Sequence, residues 1–117
     1  MRVSPSLSFS LTKYLVKKKL LSRERFPLVL MLEITHLCNL ACEGCGRIRE
    51  YKDTMREMLS AEECIQAVNE CPAPVVSVTG GEPLMHPEID KIIHGILKKK
   101  RHIYLCTNGV LLAEAIK

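Results

Sequence analysis

Three cysteines fall within eight residues, in Cys38-Asn39-Leu40-Ala41-Cys42-Glu43-Gly44-Cys45. Thiolates are soft ligands, and ligands spaced this closely on a loop can wrap one small site. Three chemistries compete for the spacing. A structural zinc site needs a fourth closed ligand, and His36 and Cys106 are the nearest candidates. A redox dithiol would use Cys42-Glu43-Gly44-Cys45 as a C-x-x-C pair and leave Cys38 without a task. An iron–sulfur cluster is normally held by four thiolates. Three leave one iron open, a place for a substrate or cofactor to bind. Two further polar groupings stand out: Gly80-Gly81-Glu82-Pro83 and Thr107-Asn108-Gly109.

Each grouping follows a segment that reads as a strand. Residues 28–34 are a nearly continuous apolar run, as in a buried parallel strand. Pro74 to Thr79 is a second strand and His102 to Cys106 a third. Between them the period turns helical. Ser60 and Glu63 form a capping box, and Ala61, Cys64, Ile65, Val68 and Cys71 then share one face. Ile89, Ile92, Ile93, Ile96 and Leu97 mark a second helix, which begins near Pro87 and Glu88. It ends in Lys98, Lys99, Lys100 and Arg101, at the negative end of its dipole. This alternation predicts an α/β fold of βα units with a parallel sheet and right-handed crossovers. In such folds ligands collect beyond the carboxyl ends of the strands, which is where all three groupings stand.

The chain has 117 residues, with 17 Lys and Arg against 13 Asp and Glu, a net charge of +4. At 47% hydrophobic and 26% charged it has a globular composition, and one domain is the upper bound. No apolar run approaches the ~18 residues of a membrane span. Lys13, Lys17, Lys18 and Lys19 interrupt the N-terminal apolar stretch, against a secretory signal. The charge is spread out, so no nucleic-acid partner is expected. Six cysteines without a secretion signal argue against disulfides. The Ser-rich residues 1–10 and the charged residues 46–58 read as irregular. Residues 11–21 read as a basic helix whose stripe of Leu7, Leu11, Tyr14 and Leu15 is broken by Lys18.

The three groupings, in this order and on successive strand ends, resemble the radical S-adenosylmethionine (SAM) superfamily. The resemblance implies that Cys38, Cys42 and Cys45 hold a 4Fe–4S cluster whose open iron is chelated by SAM. It implies that Gly80, Gly81, Glu82 and Pro83 form the methionine-binding turn, with Asn108 on the same side. Glycines let backbone approach a ligand closely, and Glu82 is the expected acceptor for the methionine ammonium. An electron then splits SAM into methionine and a 5′-deoxyadenosyl radical. The superfamily usually has an aromatic residue before the third cysteine, near the adenine; here it is Gly44. Superfamily cores resemble a partial TIM barrel of six βα units. Residues 26–117 would then be a truncated, N-terminal half of such a core, and residues 1–25 an N-terminal extension. The 117-residue chain alone is not expected to turn over.

A narrower similarity covers Phe26 to Glu33, Cys38 to Gly46 and Tyr104 to Asn108. It is to the hopanoid-biosynthesis branch of the superfamily, and implies transfer of the adenosyl group to the alkene of a polycyclic triterpene, diploptene. An electron donor such as flavodoxin or ferredoxin, a hydrophobic small-molecule substrate, and a cytoplasmic location with transient membrane-surface contact follow from it. On the third strand, alternation puts Tyr104 and Cys106 on the lumen side. Cys106 could therefore donate a hydrogen atom to a substrate radical, or be an inert packed thiol. A non-catalytic zinc- or thiol-bearing α/β module is the reading from another class. Cys64 and Cys71 read as core packing. His36 reads as a loop residue, His86 as part of a helix start, and His94 and His102 as surface or helix-end residues. Asn108 reads equally as an active-site orienter or a turn cap.

Overall fold

Pro5 stands at the first helical position, where its missing N–H is no loss, and helix α1 runs over Pro5–Leu20. The computed structural model describes residues 4–22, 24–46 and 52–116. Residues 5–10, expected to be irregular, are thus helical. Serine's weak helix propensity is overridden by packing: Leu7, Ser10, Leu11, Tyr14 and Lys18 form the partly buried side of α1. Tyr14 anchors it, donating its hydroxyl to the Pro27 carbonyl at 2.8 Å and meeting Phe26 edge-on at 5.8 Å. Lys18 does not break this side. Its ammonium lies 5.2 Å from the centre of the Tyr14 ring, a cation–π contact that leaves the stem free to pack.

Strands β1 (Val29–Glu33), β2 (Val75–Thr79) and β3 (His102–Leu105) form one parallel sheet in the order β1-β2-β3. Parallel neighbours need crossovers. Helix α2 (Ala61–Glu70) lies in the first and α3 (Ile89–Lys98) in the second, and a short α4 (Leu112–Ala115) follows β3. The capping box at the start of α2 is formed as expected: Ser60 Oγ accepts from the Glu63 N–H, and Glu63 Oε2 accepts from the Ser60 N–H. Of the charged stretch 46–58, residues 47–51 lie outside the described residues, and residues 52–57 form turns.

Register decides which side chains share a face. Leu30, Val76 and Ile103 make one row, and Leu32, Val78 and Leu105 the next. Both rows pack on Cys64 and Val68 of α2 and Ile92 and Ile96 of α3, which are fully buried. Leu97 is 53% exposed instead, because it stands about 80° from Ile89 at the border of the stripe. The opposite face carries Val29, Val75 and His102, then Met31, Ser77 and Tyr104. Among the described residues no helix of the βα units covers that face, and Met31 is 72% exposed. The apolar run of β1 therefore reflects a helix-packed face plus an open apolar one. His102 corrects its expected place: it belongs to this sheet face, half-buried, rather than to a free surface.

Candidate functional site

Backbone pairing continues past the end of β1. The Ile34 N–H donates to the Thr79 carbonyl, Gly81 N–H to Thr35 at 2.7 Å, and Glu82 N–H to Leu37 at 2.8 Å. On the other side Leu59 N–H donates to Ile34, and His36 N–H to Glu57, around an antiparallel bridge between Thr35 and Met58. Residues 34–37 are thus a short rail held from both sides, and the cysteine loop leaves from its end. The Gly80-Gly81 pair is what permits this. A Cβ on Gly80 would overlap the Thr35 carbonyl oxygen, and one on Gly81 the Leu37 carbonyl oxygen. Within the chain, the close approach the glycines allow is to the cysteine-bearing segment itself.

Cys38 Sγ accepts from the Leu40 N–H at 3.4 Å. Cys42 and Cys45 flank a turn closed by Cys45 N–H to the Cys42 carbonyl at 3.2 Å. Gly44 sits in that turn with φ +77°, a left-handed conformation that an aromatic residue adopts only with strain. This is a backbone reason for glycine at that position. Cys38 and Cys45 are partly buried, Cys42 is exposed, and all are free thiols. Among the described residues no three His, Cys, Asp or Glu side chains converge as a metal site.

Glu82 has a different post from the one expected of it. It is 0% exposed, and three donors of the chain fill its carboxylate. Oε1 accepts from the Leu84 N–H at 3.0 Å and the Thr107 hydroxyl at 2.8 Å, and Oε2 from the Asn108 N–H at 2.7 Å. The carboxylate faces inward, tying the second strand end to the third. Pro83 is also fully buried and opens a single 3₁₀ turn, Pro83–Met85, so its ring packs inside the protein rather than facing a ligand. Asn108 combines its two expected roles. Oδ1 accepts from the Val110 N–H at 3.0 Å, forming the turn, and Nδ2 donates to Asn39 Oδ1 at 2.8 Å, with Cys38 Sγ at 4.0 Å. The result is a continuous tie from Glu82 through Asn108 to the start of the cysteine loop.

Cys106 continues the β3 ladder, its N–H donating to Val78 at 2.9 Å. Its sulfur is 3.6 Å from Ser77 Oγ, on the open face, as strand alternation requires. Cys64 is fully buried, and burial pushes its thiol up to about 11. Cys71 is only partly buried, because it caps the C-terminus of α2. His86 is buried and structural: Nδ1 accepts from the Glu88 N–H, which leaves Nε2 to donate to the Leu59 carbonyl at 2.8 Å. His36 bonds to Thr54 within the loop, and His94 to the Asp90 carbonyl on the exposed side of α3. Asn39 and Thr107 are the participants that sequence reading left without roles. Their only signal is adjacency, one directly after Cys38 and the other directly before Asn108.

Three strand ends on one edge of a parallel sheet, one bearing a three-thiol loop and one a Gly-Gly-Glu-Pro turn, define an α/β cofactor-binding core. Residues 32–117 match the radical SAM superfamily, and the chain belongs to that family. Superfamily members use a 4Fe–4S cluster and SAM. Similar proteins include the GTP 3′,8-cyclase of Aquifex aeolicus, 37% identical over 76% of this chain and 30% of that protein. The PqqA peptide cyclase of Granulibacter bethesdensis is 30% identical over 77% of this chain and 25% of its own length. A probable GTP 3′,8-cyclase of Methanopyrus kandleri is 37% identical over 71% of this chain. The chain spans less than a third of the length of these relatives.

The residues present fit such a group chemically. Three free thiols share one loop, one of them already accepts a backbone N–H, and the segment the loop leaves from, residues 34–37, is held from both sides by main-chain bonds.

Proposed function

We propose that residues 26–117 form the N-terminal half of a radical SAM core, with residues 1–25 as an extension, and that the whole protein performs SAM-dependent radical chemistry. The observation that carries this is the three-thiol loop joined by backbone bonds to the Gly80-Gly81 turn. Cys38, Cys42 and Cys45 would hold the 4Fe–4S cluster. Gly80, Gly81 and Glu82 would present main chain to the methionine end of SAM, with Asn108 beside them, Pro83 packing the turn from within and Glu82 holding its shape. When bound and reduced, the cluster and SAM supply a 5′-deoxyadenosyl radical. The electron would come from a flavodoxin- or ferredoxin-type protein.

For the substrate we propose an apolar molecule, a hopanoid alkene such as diploptene, which would make the protein an adenosylhopane synthase-type adenosyl transferase. The similarity of Phe26–Glu33, Cys38–Gly46 and Tyr104–Asn108 to that branch motivates the reading. The open sheet face supports it: Val29, Met31, Val75 and Tyr104, with Ser77, His102 and Leu7 of α1, line a largely apolar cavity of about 440 Å³. Cys106 holds a thiol hydrogen on this same face, and in this reading it quenches the substrate radical. A thiol S–H is weaker than an alkyl C–H, so the transfer runs downhill; it leaves a thiyl radical on Cys106, which one electron from the flavodoxin- or ferredoxin-type donor and one proton would return to the thiol. In the full-length enzyme, Cys106→Ala should still cleave SAM but yield misquenched adduct. Normal product yield and stereochemistry would leave Cys106 as packing only.

Anaerobic reconstitution with iron and sulfide tests the class. About four irons per chain, with an electron paramagnetic resonance spectrum that SAM alters, is the expected result. Retention of zinc with no iron uptake would instead mark a zinc- or thiol-bearing module. Among the described residues no helix is long and apolar enough to cross a membrane.

A further inference from the structure

Helix α1 carries a second apolar stripe, on the side away from the sheet. Phe9, Val16 and Leu20 recur at i, i+7 and i+11, within about 40° of one another on the helix. They are 70%, 52% and 79% exposed, and Leu21 extends the patch past the helix end. The opposite side, with Leu7, Leu11, Tyr14 and Lys18, is already engaged with the body. The outer stripe therefore has no task in holding α1 in place. Singly exposed apolar residues are ordinary, whereas Phe9, Val16, Leu20 and Leu21 line one shallow groove, with Thr12 and Lys13 between the first two and lysines at its rim, as an interaction surface does.

The rim is uniformly basic. Lys13 and Lys17 flank the stripe on one side and Lys19 on the other. No Asp or Glu occurs before Glu24, although the chain has 13 acidic residues. The cationic run after α3 reaches the same place. Lys100 and Arg101 line a cleft of about 230 Å³ together with Lys13 and Lys17, so basic groups distant in sequence share one surface. The apolar residues of its inner side leave α1 as a whole only weakly amphipathic, but its free outer side carries apolar residues with lysines that can reach past them, as the exposed side of an interfacial helix does. Clustered Lys and Arg give such a helix its attraction for anionic lipid.

We propose that the outer face of α1, with the Lys100–Arg101 turn, docks on an anionic phospholipid surface. Phe9, Val16 and Leu20 enter the headgroup–acyl boundary, and the basic cleft meets lipid phosphates. This surface is separate from the cysteine loop and stands independently of the substrate assigned above.

The test is co-sedimentation of the 117-residue chain with vesicles of phosphatidylcholine, and with equimolar phosphatidylcholine and phosphatidylglycerol. Binding should be confined to the anionic vesicles and weaken as salt screens it. Phe9→Ser with Leu20→Ser should lower partitioning at least about ten-fold, and Lys13→Glu with Lys17→Glu should do so at low salt. These positions are exposed, and circular dichroism of each variant confirms that α1 is retained. Failure to bind anionic vesicles overturns the proposal, as does binding that these variants leave unchanged. Sedimentation equilibrium gives a further check: a dimer that Phe9→Ser splits would assign the stripe to a second copy instead.

Discussion

Replacing Cys38, Cys42 or Cys45 singly with Ala is expected to reduce iron and sulfide incorporation to background. A site with three protein ligands has no spare, and losing one leaves two irons of a cubane without protein thiolate. The surrounding fold should persist in each variant. The rail at residues 34–37 is held by main-chain bonds to residues 57–59 and 79–82 that none of the three side chains makes. The control is Cys64→Ala. Cys64 is fully buried on α2, and its thiol is pushed up to about 11 by burial, so it stays protonated and unreactive at neutral pH. Iron content measured per folded chain should be unchanged in that variant, apart from some loss of stability from the packing defect. Equal loss of iron in Cys64→Ala and Cys42→Ala would refute the three-thiol assignment.

The second large effect is on stability. Glu82→Ala should destabilise the chain by roughly 3–5 kcal/mol, since it removes a buried acceptor and strands the three donors that bond to it, each unsatisfied donor costing about 1–3 kcal/mol. Those are the Leu84 and Asn108 N–H groups and the Thr107 hydroxyl. Against a typical total of about 5–15 kcal/mol this is a large fraction, and a fall in Tm of at least roughly 10 °C should follow. Glu62→Ala, at an exposed position on α2, should change stability by less than about 0.5 kcal/mol. The comparison separates two roles for Glu82. An outward carboxylate that met only a ligand's ammonium would give a variant with parental melting and weaker SAM binding. The tie seen in the structure gives a variant that melts early, with Asn108 and hence Asn39 displaced. Thermal melting of the two variants without added cofactor decides between these.

Glu82 also shows what kind of information was missing from the linear chain. A Glu in a Gly-Gly-Glu-Pro turn invites a ligand contact, because its three true partners lie in its own turn and 25–26 residues away. The same holds for Gly80 and Gly81. Their need for no side chain was legible, but the backbone that approaches them, at Thr35 and Leu37, was not. Asn39 had no legible role, because its partner Asn108 is 69 positions distant. On α1 the difficulty was different. Two apolar stripes on opposite sides of one helix blur each other's period, and Lys18 belongs to the inner one only through its contact with Tyr14.

What the sequence determined by itself was local or periodic. Alternation placed Val76 and Val78 opposite Ser77, and put Cys106 on the open face. Capping chemistry set the start of α2 at Ser60, and the 3.6-residue period set the buried side of α3, although Leu97, which the same period included, lies exposed at its border. The order of the three polar groupings was also enough to identify the superfamily. Tertiary structure alone decided which groups meet: Gly81 with Thr35, Glu82 with Thr107 and Asn108, Asn108 with Asn39, and Lys17 with Arg101 around one cleft. The reason is physical. Propensity and period act over a few neighbouring residues, whereas a buried carboxylate or a close backbone approach is settled by strand register, which brings together groups that sequence leaves far apart.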